Sequence, residues 1–236
     1  MLRLAQGRKE RRVRLDAKGS DTLVARAQRE LETRYVTLEL APGSVWSEVS
    51  LSELLEIGRT PVRQAVAIMA TGGLVTVIRR AGIVISQISI EDQLSVLETR
   101  HVLESLVSSR AARHADEEER DRLRAMALGI EKAGEELDVH AYIAAHFEIK
   151  RFVTACARNV HAERALRPLH TLSRRFYFAY HREFDNLPAV GRAHAELTRA
   201  IADGDESRVS TCTAFVSEIA VDFTRALLMR RSRKTA

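Results

Sequence analysis

The chain has 236 residues, 45% of them hydrophobic and 29% charged, with 37 Lys and Arg against 32 Asp and Glu. This balance is typical of a globular protein and excludes a disordered chain, and no apolar run is long enough to span a membrane. Residues 1–85 hold 14 basic and 9 acidic residues, whereas the rest of the chain holds 23 of each, so the net charge of +5 belongs to the first part. Positive charge concentrated in one region is typical of proteins that bind nucleic-acid phosphates.

Residues 1–20 are polar, and five of the seven residues from Arg8 to Arg14 are basic. We expect a flexible basic arm that can add contacts to phosphates. This segment lacks the apolar core of a signal peptide. Cys156 and Cys212 lie in apolar helical contexts without the spacing of a metal site, so both are expected to be free thiols. Together these features predict a cytoplasmic protein.

The segment after residue 50 indicates two short helices across a tight turn. Apolar residues at helical spacing predict the first helix over Leu51–Leu55. The turn follows at Glu56-Ile57-Gly58, and we expect Gly58 to adopt backbone angles that other residues avoid. The second helix starts at Arg59-Thr60-Pro61, where proline suits the first turn, and it stops at Gly72-Gly73.

A basic hairpin follows these helices. Two β-rich runs, Leu74–Ile78 and Ile83–Ile88, are joined by the residues Arg79-Arg80-Ala81-Gly82. With a further helix predicted over residues 21–38, the segment 21–88 has the order of elements of a winged helix-turn-helix domain.

The arginines of this segment lie where such a domain contacts double-stranded DNA. Arg59 and Arg63 are four residues apart and therefore share one face of the second helix, opposite its apolar stripe. That face of a recognition helix meets base edges in the major groove, where arginine can bind guanine with two hydrogen bonds. The alternative is that the arginines only hydrate the surface of a small domain. The predicted DNA-binding set is Arg59, Thr60, Arg63, Arg79, Arg80 and Gly82.

The remainder of the chain is predicted to be entirely helical. From Ile90 to Leu228 the apolar residues recur at intervals of three and four, with breaks near residues 115, 135, 158, 186 and 204. This pattern gives six or seven helices in an all-α domain over residues 89–229, followed by a basic tail, 230–236. The predicted fold is thus mainly α, with an N-terminal winged helix-turn-helix and a C-terminal helical bundle.

Several spaced motifs carry a family resemblance. Pro42-Gly43, Arg59-Thr60-Pro61-Val62-Arg63, Gly73-Leu74-Val75 and Gly82 resemble the DNA-binding domain of GntR-family bacterial transcription regulators. Residues 98–104, Asn159 and the stretch from His194 to Asp205 resemble the FCD effector domain of the FadR-like subfamily. The resemblance implies a homodimer that binds a palindromic operator, with a helical bundle that encloses a pocket for a small molecule, usually a carboxylate metabolite.

The resemblance also implies a metal site, from which this sequence departs. Many FCD domains hold a divalent metal with one Asp and three His, and the corresponding positions here are His146, Lys150, His194 and Val216. Two imidazoles could hold a metal with help, but an ammonium group repels a cation and the carboxylate that would offset its charge is gone. We therefore expect no metal cofactor. Arg100, His146, Lys150 and His194 instead predict a pocket for a small carboxylate or another anionic metabolite.

The predicted function is a ligand-responsive transcription regulator, a repressor in the family's common manner, that binds an operator as a homodimer and has no enzymatic activity. The sequence contains neither a nucleophile elbow nor a phosphate-binding glycine loop. Two alternatives stay open. One is a constitutive DNA-binding protein with a degenerate pocket, and the other is a metal-dependent all-α enzyme with an accessory DNA-binding domain.

Overall fold

The computed structural model describes residues 22–183 and 186–235. The predicted basic arm, residues 1–20, lies outside this part of the chain. The described residues form an N-terminal module of three helices and a small sheet, followed by a helical domain. In the N-terminal module the elements are α1 (Leu23–Val36), β1 (Val45–Trp46), α2 (Glu48–Leu55), α3 (Arg59–Thr71), β2 (Val75–Ile78) and β3 (Gly82–Ile85).

The turn between α2 and α3 differs from the prediction in one respect. The left-handed residue is Glu56 with φ of 53°, whereas Gly58 has an ordinary φ of −56° and precedes α3 as its N-cap. Because Glu56 adopts this conformation, the N–H of Ile57 reaches back to the carbonyl of Ser52 and ends α2. The chain therefore reverses two residues earlier than the glycine suggested.

The three strands form an antiparallel sheet in the order β1-β3-β2. Strand β1, which was not predicted from the sequence, pairs Val45 with Val84 and Trp46 with Ile83. Gly82 has a φ of 116°, and a Cβ atom at this residue would lie 2.7 Å from the carbonyl oxygen of Trp46. Gly82 thus allows β3 to approach β1 closely, in a conformation that other residues rarely adopt.

The helical domain contains six α-helices among the described residues, as predicted, and a 3₁₀ turn follows α7. The helices are α4 (Ile90–His114), α5 (Glu117–Glu135), α6 (Val139–Cys156), α7 (Val160–Tyr180), α8 (Leu187–Asp203) and α9 (Glu206–Thr235). Side chains of Ser89, Asp116, Asp138 and Asn159 cap the first four of them. Helix α9 continues to Thr235, through most of the predicted basic tail. None of the helices in the described ranges is long and apolar enough to cross a membrane.

Helix α4 packs against α6, α7 and α9, and α5 packs against α8. The second of these contacts is made through glycine. A Cβ atom on Gly191 of α8 would lie 3.1 Å from both the Cα of Gly134 and the carbonyl oxygen of Ile130 on α5. The two backbones therefore lie closer together than larger residues would allow.

This close contact predicts opposite effects for two glycine substitutions on the α5–α8 pair. We expect Gly191→Ala to lower the free energy of unfolding by about 1–3 kcal/mol, because the added methyl group meets backbone atoms that cannot rotate away. Gly129→Ala on α5 is the matched control, since it is exposed and no atom lies within 4 Å of its added Cβ. There alanine should stabilise the helix by up to about 1 kcal/mol. Urea unfolding measures both, and a stabilising Gly191→Ala would contradict the packing described.

Candidate nucleic-acid interface and ligand cavity

The first turns of α3 present a basic face to solvent. Val62, Val66 and Met69 are buried against the N-terminal module, and Arg59, Thr60 and Arg63 are exposed on the other side. The Nε of Arg63 lies 3.4 Å from a carboxylate oxygen of Glu48 on α2. Gly58 supplies no side-chain cap, so the first N–H groups of α3 have no side-chain acceptor at this N-cap. Uncapped N–H groups and two guanidinium groups at one helix N-terminus suit a phosphate.

The wing carries the second basic group. Arg79 and Arg80 occupy the tip of the hairpin, where the N–H of Ala81 bonds to the carbonyl of Ile78 at 3.0 Å. Arg80 has a φ of 66°, and both side chains are exposed. The hairpin thus presents two cations to solvent at one turn, and their contact with DNA stays a prediction.

A cavity lies between α4, α6, α7, α8 and α9, and we call it the first cavity. The centre of a water molecule has about 60 Å³ available inside it. Arg100, His146 and His194 line it, and each is at least nine-tenths buried. The structure thus brings together three of the four residues predicted to bind an effector. The fourth, Lys150, lines a second cavity between α1, α6 and α7 instead.

The position of Lys150 is explained by a buried carboxylate that was not among the predicted effector residues. Glu104 accepts hydrogen bonds from Arg100 Nη2 at 3.1 Å and Lys150 Nζ at 2.8 Å, and the Nε2 of His170 lies 2.8 Å from the same oxygen. The expectation that Lys150 lacks an offsetting carboxylate was therefore wrong. The spacing of Arg100 and Glu104 on one helix was visible in the sequence, but their partners on α6 and α7 were not.

The protonation states in this group, the Glu104 cluster, follow from burial and charge. Burial alone would raise the pKa of Glu104, but Arg100, Lys150 and His170 outweigh it and hold the pKa well below its ordinary value. Burial lowers the pKa of His170 to about 4 despite the neighbouring carboxylate. Glu104 is therefore ionised at neutral pH and His170 is neutral.

Arg174 of α7 is a second residue that was missed in the sequence. It is 7% exposed and lines both the first and the second cavity. Its Nη2 donates to the Oγ1 of Thr171 at 3.2 Å, and its Cζ lies 4.6 Å from the ring centre of Phe147. No carboxylate of the described residues lies within ion-pair distance of Arg174. Burial lowers its pKa to about 10, so the guanidinium stays charged at neutral pH.

The residues at the positions implied for a metal do not suit one. His146, His194 and Val216 line the first cavity together, whereas the ammonium of Lys150 is bound to Glu104. In the described parts of the chain, no group of three or more His, Cys, Asp or Glu side chains is arranged to hold a metal ion. Two imidazoles beside an aliphatic side chain leave a cation without the further ligands that it needs.

Helix α7 connects these cavities with the N-terminal module. Arg167 Nε lies 3.2 Å from a carboxylate oxygen of Glu32 on α1. The Cζ of Arg175 lies 3.9 Å from the ring centre of Tyr35, and its Nη1 donates to the carbonyl of Ser86 at 2.8 Å. These contacts join the helix that forms one wall of the first cavity to α1 and to the end of the wing.

Both parts of the chain match known protein families. Residues 23–85 match the gntR family of bacterial regulatory proteins, and residues 95–215 match the FCD domain. The chain belongs to the GntR family. Among relatives of this GntR protein is the Nta operon transcriptional regulator of Aminobacter aminovorans, which is 25% identical over 181 residues, or 77% of this chain and 83% of that one.

Solved structures share the fold of this GntR protein. The chain resembles E. coli McbR/YncC with a TM-score of 0.76 and 14% identity, over 88% of this chain and 99% of that one. A GntR transcriptional regulator from Rhodococcus sp. RHA1 matches with a TM-score of 0.63 and 16% identity, over 86% and 97% of the two chains. The predicted family and fold class are confirmed: the protein is a GntR transcriptional regulator with a winged helix-turn-helix and an all-helical FCD domain.

Three buried histidines predict that this protein loses stability as the pH falls from 7 to 5. Burial lowers the pKa of His146, His170 and His194 below the ordinary value of 6.5, to about 4 for His170 and about 3 for His194. At a pH between the lowered pKa of each folded histidine and 6.5, the unfolded chain binds a proton at that histidine and the folded chain does not. Their contribution is therefore complete above pH 6.5 and is lost progressively below it, by about 1.4 kcal/mol per pH unit for each histidine.

Urea unfolding at several pH values measures this dependence. His170→Gln keeps a hydrogen-bond donor for Glu104 but removes one titrating group. The slope of its unfolding free energy against pH should therefore be smaller by the contribution of one proton. The depressed pKa of Glu104 contributes only below about pH 4.5, outside this range. An unfolding free energy that is the same at pH 7 and pH 5 would contradict the neutral, buried state of these rings.

Proposed function

We propose that this protein is a ligand-responsive repressor that binds an operator as a homodimer and leaves it when a small anionic metabolite occupies the first cavity. The observation that supports an anionic ligand is the positive charge in and behind the wall of the first cavity, which Arg100 and Arg174 line and which Lys150 approaches from the second cavity. Arg100, Lys150 and Arg174 bring three positive charges to one buried region, and the three histidines there are neutral. Glu104 supplies one negative charge beside Arg100 and Lys150, and Glu32 of α1 attracts Arg174 from the side away from the first cavity without pairing with it. A buried excess of positive charge is costly, and an anion in the first cavity offsets it.

The proposed DNA contacts follow from the exposed arginines of α3 and the wing. Arg59 and Arg63, with Thr60 between them, face solvent on the side of α3 that its apolar stripe leaves free. Arg79 and Arg80 extend this basic surface toward the flanking phosphates, and Gly82 positions the wing. Two such modules related by a twofold axis suit a palindromic operator. A chromosomal operator implies that the protein acts in the bacterial cytoplasm.

The proposed link between ligand and DNA is α7. An anion in the first cavity attracts Arg174, which directly precedes Arg175 and lies about two helical turns after Arg167. Arg167 and Arg175 of the same helix contact α1 through Glu32 and Tyr35. A ligand can shift the placement of the DNA-binding modules only by the difference in its affinity for the two placements. A difference in affinity can arise where α7 contacts α1, because a shift of α7 changes these contacts.

Operator binding should depend on the arginines of α3. We expect Arg63→Ala and Arg59→Ala each to weaken binding to the promoter region by about tenfold or more, because a bidentate arginine contributes roughly 1–3 kcal/mol of discrimination. Fluorescence anisotropy with a labelled duplex at about 150 mM salt measures the affinity.

Arg225→Ala is the matched control for Arg63→Ala. The side chains of Arg225 and Arg63 are both 63% exposed and both lie near one surface acid, but Arg225 is on α9. It should leave operator affinity unchanged. Equal losses in the α3 and α9 variants would show that the charges of the chain act without regard to position, and the proposed interface would be wrong.

The contact between Arg167 and Glu32 should carry part of the response to the ligand. We expect Glu32→Gln to reduce the effect of a bound acid on operator affinity by about threefold, since residues in direct contact couple by roughly 0.5–3 kcal/mol. The acid is the one that stabilises the protein most in a thermal-shift screen of short carboxylates. Arg151→Ala is the control, because Arg151 lines the second cavity but pairs with Glu148 of its own helix. An unchanged response in Glu32→Gln would exclude this route, and a screen without any stabilising acid would support a constitutive DNA-binding protein.

A further inference from the structure

Three side chains that line the first cavity each have a buried polar atom without a hydrogen-bond partner. These atoms are Arg100 Nε, His146 Nδ1 and His194 Nε2, and their residues are 7%, 5% and 8% exposed. Buried polar atoms in proteins are nearly always paired, and each unpaired one is costly. Three around a single cavity indicate that a bound molecule supplies the missing partners. The identity of that molecule rests on the proposed role of this cavity as the effector site.

The hydrogen-bonding role of the unpaired His194 atom is fixed by the rest of its ring. The Nδ1 of His194 lies 3.0 Å from the carbonyl oxygen of Val190 on the preceding turn, and the hydroxyl of Tyr142, which can accept as well as donate, lies farther away at 3.3 Å. A carbonyl oxygen only accepts, so Nδ1 carries the hydrogen and donates it. Burial and the charge of Lys150 lower the pKa of His194 to about 3, so the ring is neutral near pH 7. The Nε2 atom therefore has no hydrogen and offers a lone pair.

Arg100 has the opposite requirement. Its Nη2 is bound to Glu104, but its Nε–H is buried and unpaired, and this group can only donate. Arg174 adds a second guanidinium to the cavity wall. A carboxylate supplies acceptors for both and also offsets their charge.

The bound molecule must therefore accept hydrogen bonds near Arg100 and Arg174 and donate a hydrogen bond to Nε2 of His194. A charged donor such as an ammonium group is disfavoured, because Arg100, Lys150 and Arg174 repel it. A hydroxyl group is neutral and provides the required O–H. Thiol and amide groups are larger or need further partners of their own.

The size and the remaining walls of the cavity limit the rest of the molecule. The space of about 60 Å³ that is open to the centres of water molecules holds roughly four to six waters. A ligand that fills the cavity therefore has about four to six heavy atoms. Leu97, Val190, Val216 and Phe223 contribute apolar wall. These side chains suit a short alkyl group and no second charge.

We infer that the effector is a short-chain hydroxycarboxylate, whose carboxylate binds Arg100 and Arg174 and whose hydroxyl donates a hydrogen bond to Nε2 of His194. His146, whose ring centre lies 4.8 Å from that of His194, borders the same polar end of the ligand. The hydroxyl is the feature that distinguishes the effector from other acids of equal size.

Isothermal titration of the full-length protein at about pH 7.5 in buffer with a chelator tests this inference. The probes form matched sets: lactate, propionate, 2-methoxypropionate and alanine, and then 2-hydroxybutyrate, 3-hydroxybutyrate and butyrate. We expect one hydroxy acid to bind about tenfold more tightly than its deoxy partner, as one hydrogen bond to a buried acceptor implies. In the lactate set, the methoxy acid, which has the oxygen without the hydrogen, and the amino acid should bind as weakly as propionate or more weakly.

Two variants assign the effect to the His194 lone pair. His194→Phe keeps an aromatic ring and should bind hydroxy and deoxy acids equally, with the carboxylate still bound. His101→Phe is the matched control, since the Nδ1 of His101 is also buried and unpaired but His101 does not line the first cavity. It should retain the preference for the hydroxyl. The comparison of acids on the unaltered protein stands by itself if His194→Phe does not fold.

The outcomes separate this inference from the proposed function. Deoxy acids that bind as tightly as hydroxy acids would overturn the inference and leave a carboxylate-responsive regulator in place. Preference for the hydroxyl that persists in His194→Phe would also overturn it. Binding that appears only after zinc is added would mean that the lone pair holds a metal, against the inference. Binding of no acid at all would remove the proposed function and the inference together.

Discussion

The helical domain depends on the buried carboxylate of Glu104. Arg100 on the same helix, Lys150 on α6 and His170 on α7 all meet one of its oxygens within about 3 Å. Desolvating these groups is costly, and only a complete set of partners compensates for it. Small displacements of α4, α6 or α7 would leave a charge unpaired. The cluster therefore fixes the relative positions of three helices that line the first cavity, and it leaves the cavity walls positive because one carboxylate offsets two cations.

Helix α7 is the element through which this arrangement reaches the N-terminal module. Ser173, Arg174, Phe176 and Tyr177 face the first cavity, while Arg167 and Arg175 face α1. Pro168 lies inside this helix, where it removes one backbone hydrogen bond, and a Cβ atom added to Gly72 at the end of α3 would lie 2.8 Å from the Cβ of Pro168. The end of the recognition helix thus rests directly on the helix that carries the cavity wall. A movement of α7 cannot occur without a change at that contact.

Much of the N-terminal module could be predicted because its signals are local. Pro61 at the start of α3, Gly72-Gly73 at its end and the apolar stripe between them lie within one helix, and the basic hairpin follows at once. The strand β1 has two residues and therefore no periodicity to detect. The pairing of Arg100 with Glu104 is local and could be expected from their spacing, but Lys150 and His170 could not be recognised as partners because they lie 46 and 66 positions from Glu104 along the chain. Which cavity Lys150 faces depends on that pairing, so the helical spacing from His146 placed it on the wrong wall.

The charge of Arg174 links the two halves of the molecule by a physical argument. Apart from burial, the largest influence on the pKa of Arg174 is the attraction of Glu32, a buried residue of α1 whose Oε2 has no hydrogen-bond partner. Arg174 thus lies between a carboxylate of the N-terminal module and the space where an anion would bind. One guanidinium cannot be drawn fully toward both. A ligand that attracts Arg174 into the first cavity weakens its attraction to α1, and the free energy of that exchange is available to change how the module is held.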